Sequence, residues 1–245
     1  KLCIIRGEGI GDVIMTTPTI RALKEKFNSK VDITYATNTK YAEGALVKIL
    51  KNNPDISNII DRESIDDTEY DAVISLHCPA IAHEKPGAKP INRIDLFAGY
   101  LGLLPLIDPV PKIYLSREEI EDAGTFVYRT GLHGKKFIVV QLYGSSVTRS
   151  IDSIKIKNSL SRLYNEYKIN AIIITHSTDK SSDIQWNEVP GSIVVRDKDC
   201  REISAIMTYA DLVLCPDSAL LHMAGALGIP TVSLFGGTDP RARVN

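Results

Sequence analysis

The chain of 245 residues has little net charge, few cysteines and no long apolar run, and each shortage excludes a class of protein. Lys and Arg (29) nearly cancel Asp and Glu (30), so no overall field attracts nucleic acid. No apolar run approaches the roughly 18 to 20 residues of a membrane-spanning helix. The cysteines Cys3, Cys78, Cys200 and Cys215 form no Cys-x-x-Cys pair, and we expect reduced thiols in the cytoplasm.

What the chain does contain is an alternation of short Val- and Ile-rich runs with longer helical patterns. The predicted strands are residues 2–6, 31–36, 58–60, 71–76, 137–142, 170–175, 211–215 and 231–235. Helices are expected near residues 12–27, 41–51, 92–102, 117–130, 153–167, 201–209 and 218–227. Nearly continuous apolar strands that alternate with helices are typical of a parallel α/β sheet covered on both faces.

A segment with three prolines, residues 102–116, separates the first four strands from the rest. We therefore predict two Rossmann-like α/β domains, residues 1–110 and 111–245, with parallel sheets and a cleft between them. Ligands of such sheets bind at the carboxyl ends of the strands, so the loops that follow the strands are the candidate sites.

The loop after the first strand, "GEGIGD", has Gly7, Gly9 and Gly11, and then Asp12 where a dinucleotide fingerprint would have its third glycine. A carboxylate at a helix N-terminus repels the pyrophosphate that would otherwise bind there. Asp12 is therefore either a helix N-cap or a general base. Pro18 indicates either a kink or a second helix start.

Two later loops are suited to anions. "YGSSVTRS" combines the hydroxyls of Ser145 and Ser146 with the guanidinium of Arg149, which predicts either a phosphate-binding concavity or an ordinary polar turn. "PDSALLH" places Ser218 at the start of a helix with no acid in its first turn, a setting that accepts phosphate. Asp217 would cap this helix or bind a ribose hydroxyl, and His222 lies one turn after Ser218, as a ligand-facing or a structural histidine.

The loop "LHCPAIAHEKPGAKP" holds four side chains of metal-binding type, His77, Cys78, His83 and Glu84. Their spacing fits no standard zinc pattern, and we expect no metal. The basic residues of this region either meet an anionic acceptor or form a solvated face; they are Lys85, Lys89 and Arg93.

At three loops the chain resembles glycosyltransferase family nine, the bacterial heptosyltransferases of lipopolysaccharide assembly. "GEGIGDVIMTTPTIRALK" is similar to the opening loop and helix of that family, and "PDSALLHMAGALGIPTVSLFGGTDP" to its donor segment. The resemblance implies a GT-B fold, with the acceptor on the first domain and the nucleotide sugar on the second. It makes Asp12 the catalytic base and assigns the donor to Ser145, Ser146, Asp217, Ser218, Ala219 and His222.

The resemblance implies an inverting transfer of a sugar, heptose from ADP-heptose, to a lipopolysaccharide-core or related glycan. No cofactor beyond the ADP-sugar substrate and no metal is expected. The expected partners are a nucleotide sugar and a glycan or glycolipid acceptor, with a cytoplasmic protein in peripheral contact with the inner membrane and no nucleic acid. A nucleotide-sugar epimerase of GT-B fold and an inactive nucleotide-sugar-binding protein are the alternatives.

Three features depart from the family pattern. Arg149 stands near the position of a family lysine, the tryptophan after it is absent, and Ala219 replaces a frequent glycine. Family members usually continue beyond "TDPRARV" with further strands and a long helix, so we expect either a missing tail or a short variant.

Overall fold

A computed structural model describes residues 1–77, 89–144, 146–176 and 186–244. The chain forms two compact units. The first consists of Lys1–Tyr114 together with Asp239–Asn245, and the second of Leu115–Thr238. The last residues of the chain therefore belong to the first unit, although the second unit precedes them in sequence.

The first unit is a four-stranded parallel sheet in the order β3-β2-β1-β4. Its elements are β1 (Leu2–Ile5), α1 (Ile10–Lys26), β2 (Ile33–Thr37), α2 (Ala45–Leu50), β3 (Asn58–Asp61), β4 (Ala72–Ser75) and α3 (Arg93–Tyr100). Strand β1 lies inside the sheet, so the loop that follows it leaves from the middle of the carboxyl edge.

The second unit is a five-stranded parallel sheet in the order β7-β6-β5-β8-β9. Its elements are α4 (Arg117–Arg129), β5 (Phe137–Gln141), α5 (Ser153–Tyr167), β6 (Asn170–Thr175), β7 (Ser192–Arg196), α6 (Cys200–Met207), β8 (Leu212–Pro216), α7 (Ala219–Leu227) and β9 (Thr231–Leu234). Both sheets reverse their strand order beside their first strand, which is the Rossmann arrangement and creates a ligand-binding crevice at that point.

The prediction of two parallel α/β sheets is confirmed, with one strand more than expected. Strand β7, "SIVVR", was missed because it is a short edge strand in which Val195 alone is buried. The central strands were predicted because they are apolar throughout. In β5 and β6, the side chains of Val139, Val140, Ile172 and Ile173 have no exposed surface. None of the described helices is long and apolar enough to cross a membrane.

Helix α1 runs without interruption through Pro18, so the expectation of a second helix start is wrong and the helix is a single element. Proline has no amide hydrogen to donate to the carbonyl of Ile14 one turn earlier. The hydroxyl of Thr17 donates to that carbonyl at 2.9 Å and satisfies it locally. The helix therefore stays intact behind the loop that carries Asp12.

A charged pair joins the two helices α4 and α6 of the second unit. Glu119 completes the capping box of α4 with Ser116, and its carboxylate also accepts two hydrogen bonds from the guanidinium of Arg201, which is 5% exposed. These bonds, against the opposing effect of burial, lower the pKa of Glu119 to about 2. One carboxylate thus stabilises a helix end and compensates a buried cation.

We expect Glu119→Gln to lower the free energy of unfolding by about 1.5–3 kcal/mol at neutral pH, because Arg201 would lose a charged acceptor. Since the pKa of Glu119 is lowered by folding from its usual 4.5, its contribution is complete above about pH 4.5 and disappears as the pH falls towards 2. Urea unfolding at several pH values measures this difference.

The matched control is Glu121→Gln, in the same helix. Glu121 pairs with Arg117, and both side chains are exposed (61% and 90%), so its loss should cost at most about 0.5 kcal/mol. Equal losses of stability in the two variants would contradict the role of Glu119 as the partner of the buried Arg201.

Candidate active site

The loop after β1 turns sharply into helix α1 at Gly9. Gly9 is the N-cap residue, with φ of 78°, and no side chain caps this helix end. A methyl group on Gly9 would lie 3.1 Å from the Oδ2 atom of Asp12, so glycine permits both the positive φ and the close carboxylate. Asp12 lies in the first turn of α1, and of its two interpretations from sequence the N-cap is wrong.

Guanidinium groups surround the carboxylate of Asp12. Arg6 Nη2 donates to Oδ2 at 2.6 Å, and Arg93 Nη1 donates to Oδ1. Arg243 Nη1 lies 3.7 Å from Oδ1. The side chains of the three arginines are 6%, 8% and 13% exposed, and that of Asp12 is 17% exposed. The cluster is therefore largely removed from water, where ion pairs are strong and unpaired charges are costly.

The protonation state of Asp12 follows from these contacts. Burial acts to raise the pKa of the carboxyl group, but the charges of Arg93 and Arg6 and their hydrogen bonds outweigh it and hold the pKa below its usual 3.8. Asp12 is therefore an anion throughout the neutral range. A carboxylate has about four lone-pair positions, so the two hydrogen bonds leave acceptor capacity on its oxygens.

His77 follows strand β4 and contacts the same cluster. Arg6 Nη1 donates to His77 Nδ1 at 2.6 Å. Because a guanidinium can only donate, Nδ1 accepts and the proton of the neutral ring lies on Nε2. Arg6 is thus held from both sides, by Asp12 and by His77, and its position at the end of β1 is fixed.

Arg6, Arg93 and Arg243 bring three positive charges to the carboxylate of Asp12. A further arginine, Arg62, packs on the loop: a methyl group on Gly7 would lie 2.6 Å from Arg62 Nη1. Arg62 pairs with Glu8 at 3.4 Å on the surface. The loop that carries the candidate base therefore has four guanidinium groups beside it.

In the second unit, the loop after β5 closes on itself. The amide of Gly144 donates to the carbonyl of Arg149 at 3.0 Å, and a methyl group on Gly144 would lie 2.6 Å from that oxygen. Ser146 is exposed, with its hydroxyl 3.1 Å from that of Thr148. Ser145 lies outside the described residues. A side chain at Gly144 would open this turn.

Arg149 and Asp217 form an ion pair between the loop after β5 and the end of β8, with Nε and Oδ2 3.4 Å apart. The side chain of Asp217 is 4% exposed and that of Arg149 is 32% exposed. The acid is buried behind the guanidinium, and the guanidinium reaches solvent. Arg149 therefore lies at the carboxyl edge, where a phosphate clamp would be. The N-cap of α7 is Ser218, so the expected cap by Asp217 is wrong, whereas its ribose contact stays a prediction.

Helix α7 begins directly after this acid, and its first turn contains no acidic residue. Its N-cap residue Ser218 makes no capping bond, because its hydroxyl donates to Gln141 Oε1 at 2.7 Å. The first amides of α7, from Ala219 onward, thus donate no hydrogen bond to the Ser218 side chain. His222 is half-buried one turn along the helix. Such an N-terminus is suited to a phosphate group.

The loop after β9 packs closely on the loop that carries Arg149. A methyl group on Gly236 would lie 2.1 Å from the carbonyl oxygen of Thr148, and one on Gly237 would lie 3.5 Å from its hydroxyl. The loops after β5 and β9 therefore touch through backbone atoms, and together with the start of α7 they form the candidate donor site.

The described residues hold no group of three metal-binding side chains. Cys78, His83, Glu84 and Lys85 lie outside the described residues, so the absence of a metal site in that loop stays a prediction. Arg93 was expected to meet an anionic acceptor or to lie on a solvated face. It is 6% exposed, so the solvated face is wrong, and it binds Asp12, whereas Lys89 is exposed.

Sequence reasoning missed three residues of the site: Arg6, Arg243 and Gln141. Arg6 and Gln141 carried a signal, because each is a polar residue at or just after the end of a buried strand. Arg243 carried none, since its approach to Asp12 depends on the packing of the chain end with the first unit.

Two parallel sheets in Rossmann order, each with its candidate residues at the carboxyl edge, define a protein of the GT-B type. The model of glycosyltransferase family 9 (heptosyltransferase) matches residues 197–243. Lipopolysaccharide heptosyltransferase 3 of Escherichia coli is 26% identical over 131 residues, which make up 50% of this chain and 35% of that protein. The match thus spans about a third of the length of this curated relative.

Solved structures show the same fold. The glycosyl transferase family 9 protein of Veillonella parvula has a TM-score of 0.82 at 18% identity, covering 99% of this chain and 82% of its own. E. coli ADP-heptose lipopolysaccharide heptosyltransferase II has a TM-score of 0.71 at 14% identity, and the match covers 99% of this chain and 86% of that one. TibC of enterotoxigenic E. coli is described as an iron-containing dodecameric glycosyltransferase. It has a TM-score of 0.69 at 13% identity, and the match covers 100% of this chain and 60% of that one. These comparisons confirm the resemblance to glycosyltransferase family 9 and the GT-B fold.

We expect Gly236→Ala to lower the free energy of unfolding by about 1–3 kcal/mol, because its methyl group would displace the backbone of Thr148. Chemical denaturation measures the change. The matched control is Gly225→Ala in α7, where a methyl group meets nothing within 4 Å and should stabilise the helix by about 0.5–1 kcal/mol. A neutral Gly236→Ala would contradict the close packing of the two loops.

Proposed function

We propose that the protein is an inverting glycosyltransferase that moves heptose from ADP-heptose to a lipopolysaccharide-core or related glycan acceptor. The observation that carries the proposal is the anionic Asp12, held by Arg6 and Arg93 after β1, in a chain that resembles glycosyltransferase family 9. The ADP-heptose donor is proposed because structurally similar E. coli heptosyltransferase II is named for it.

In the proposed reaction, a hydroxyl oxygen of the acceptor attacks the anomeric carbon of the donor sugar. The new carbon–oxygen bond forms as the bond to the diphosphate oxygen breaks on the opposite face, which inverts the configuration. The hydroxyl proton passes to a free lone pair of the Asp12 carboxylate. Arg6 and Arg93 fix the two carboxylate oxygens, so the base needs no reorientation before it accepts the proton.

The departing diphosphate gains negative charge as the bond breaks. In this proposal the first amides of α7 and the guanidinium of Arg149 stabilise that charge, with Asp217 orienting the guanidinium. Gln141 holds the hydroxyl of Ser218 away from the helix amides and so keeps them available. The proposed mechanism assigns no role to a divalent ion, because the dipole of helix α7 and the guanidinium of Arg149 already oppose the charge of the diphosphate.

The acceptor in this proposal is anionic, an acidic or phosphorylated sugar of a glycolipid. Arg6, Arg93 and Arg243 are paired with Asp12, and Arg62 lies beside the same loop. Guanidinium groups are the usual partners of carboxylate and phosphate groups, which supports an anionic acceptor here. We place this acceptor on the first unit and the nucleotide sugar on the second, and we propose a cytoplasmic site of action at the inner membrane.

We expect Asp12→Asn to lower the transfer rate by a factor of roughly 10² to 10⁴, which is the usual contribution of a general base. The measurement is transfer from ADP-heptose to core-oligosaccharide acceptors. Loss of the carboxylate removes a negative charge that both Arg6 and Arg93 bind, so the variant should also unfold more readily. Affinity for ADP should stay normal in calorimetry, since the candidate donor residues lie in the second unit.

Asp12→Glu separates the two effects. It keeps the negative charge and should preserve more stability than Asp12→Asn, while the displaced carboxylate should still slow transfer. A near-normal rate in Asp12→Asn would remove Asp12 from the mechanism. Product formed from the donor alone, beyond slow hydrolysis, would instead indicate an epimerase.

We expect the transfer rate to stay constant on the acid side down to about pH 4, because the pKa of Asp12 lies below 3.8. Arg93→Met removes one of the two guanidinium groups that oppose the effect of burial, so the acid limb should move to higher pH by about one unit. Arg62→Met is the control, since Arg62 pairs with Glu8 instead of Asp12. A wild-type limb between pH 5 and 7 that Arg93→Met leaves in place would identify a different base.

A further inference from the structure

The second unit has an open cavity at the amino edge of its sheet, the edge opposite to the candidate donor site. Its volume is about 400 Å³, which lies in the range of small-molecule sites. Lys136 directly precedes β5 and Asn170 begins β6, whereas the donor loops follow the other ends of β5, β8 and β9. Strand β5 has five residues, so the two edges are about 15 Å apart along it. The cavity is therefore separate from the site of the proposed function.

The side chains that line the cavity are basic, aromatic or neutral polar; they are Lys135, Lys136, Tyr164, Tyr167, Lys168 and Asn170. None of these described lining residues is acidic. The three lysines are exposed, and within the part of the chain that the structure describes they form no ion pair with a carboxylate. Three ammonium groups around one cavity raise the local potential, which attracts an anion.

Asn170 connects the two backbone segments that carry the lysines. It is 9% exposed, and its side-chain amide donates to the carbonyls of Lys136 at 3.1 Å and Lys168 at 3.4 Å. Its backbone amide also donates to the carbonyl of Lys136, at 2.9 Å. Contacts within the protein thus hold the main chains of these lysines together, which lowers the entropy lost when a ligand binds.

The two tyrosines have different surroundings. The ring of Tyr164 is packed against the backbone before β7, because a methyl group on Gly191 would lie 2.1 Å from its Cδ2 atom. Lys168 Nζ lies 5.2 Å from the centre of the same ring, in a cation–π contact. Tyr167, in contrast, is 66% exposed. Its ring therefore offers an open face on which a flat ligand group can stack.

The lysines also differ in what the fold already asks of them. Lys168 is the C-cap residue of α5, where a cation offsets the partial negative charge of the helix end. Lys135 and Lys136 lie outside any helix and carry no such role. An ammonium group is a compact charge with three donors, and a phosphate group brings about two negative charges and three acceptor oxygens. Two neighbouring lysines therefore suit a phosphate better than a single carboxylate.

We infer that this cavity binds a phosphate-bearing small molecule, with the phosphate groups at Lys135 and Lys136 and a ring of the ligand against Tyr167. The inference goes beyond the proposed function and uses no residue of the candidate donor site. Free pyrophosphate and a nucleoside diphosphate share the phosphate chemistry, and the nucleoside diphosphate alone would also contact Tyr167.

The test is a titration of the full chain with pyrophosphate and with ADP, followed by the NMR signals of the Asn170 backbone and side-chain amides. The amides of Gly144 and Arg149 report separately on the candidate donor site. The double variant Lys135→Gln/Lys136→Gln should weaken binding at the cavity by roughly tenfold or more, because two charges next to the phosphate are lost. The matched control is Lys26→Gln/Lys30→Gln, which removes two exposed lysines of the first unit and should bind as wild type.

ADP should bind at the cavity several-fold more tightly than pyrophosphate, because its base can stack on an aromatic ring. Tyr167→Ala should remove this difference. All of these variants change exposed side chains and should keep the melting temperature of the wild type.

The inference is overturned if neither ligand shifts the Asn170 signals saturably, or if the double variant and its control bind alike. Equal binding of ADP and pyrophosphate by the wild type would overturn the ring contact at Tyr167. Shifts confined to Gly144 and Arg149 would overturn the cavity as a site and support the candidate donor site. Saturable shifts of Asn170 without any at Gly144 and Arg149 would support the inference and count against the proposed function alone.

Discussion

The ion cluster at Asp12 is the constraint on which the first unit depends. A carboxylate that is largely removed from water has to be compensated, and its compensating groups come from distant parts of the chain. Arg6 follows β1, Arg93 begins α3 and Arg243 lies in the returning segment. The strand end, the helix and the returning segment therefore meet at one point, where their arginines pair with the same carboxylate.

In the second unit, contacts within the protein organise the loops of the candidate donor site. Asp217 orients Arg149, and Gln141 occupies the hydroxyl of Ser218. The planar guanidinium of an arginine offers two parallel donors to phosphate oxygens, whereas a lysine offers a single flexible charge. In the proposed donor site, Arg149 would therefore present two parallel donors to a phosphate.

The sequence predicted the two sheets because buried parallel strands are continuous Val and Ile runs, and it predicted the loops because ligands of such sheets bind at one edge. It also singled out Asp12, Arg149 and Ser218. Their partners could not be predicted: Arg93 is 81 residues from Asp12, and Gln141 is 77 residues from Ser218. Pairs at this separation are set by packing, which no local pattern encodes.

The return of the chain to the first unit from Asp239 onward has a consequence for recombining such proteins. A chimera that exchanges the second unit through a single junction near Leu115 would also exchange the segment that brings Arg243 to Asp12. The carboxylate of Asp12 would then meet a segment from a different parent. The second unit is therefore exchanged as a segment with two junctions, one near Leu115 and one near Thr238. Both parent sequences would have to be joined at both positions.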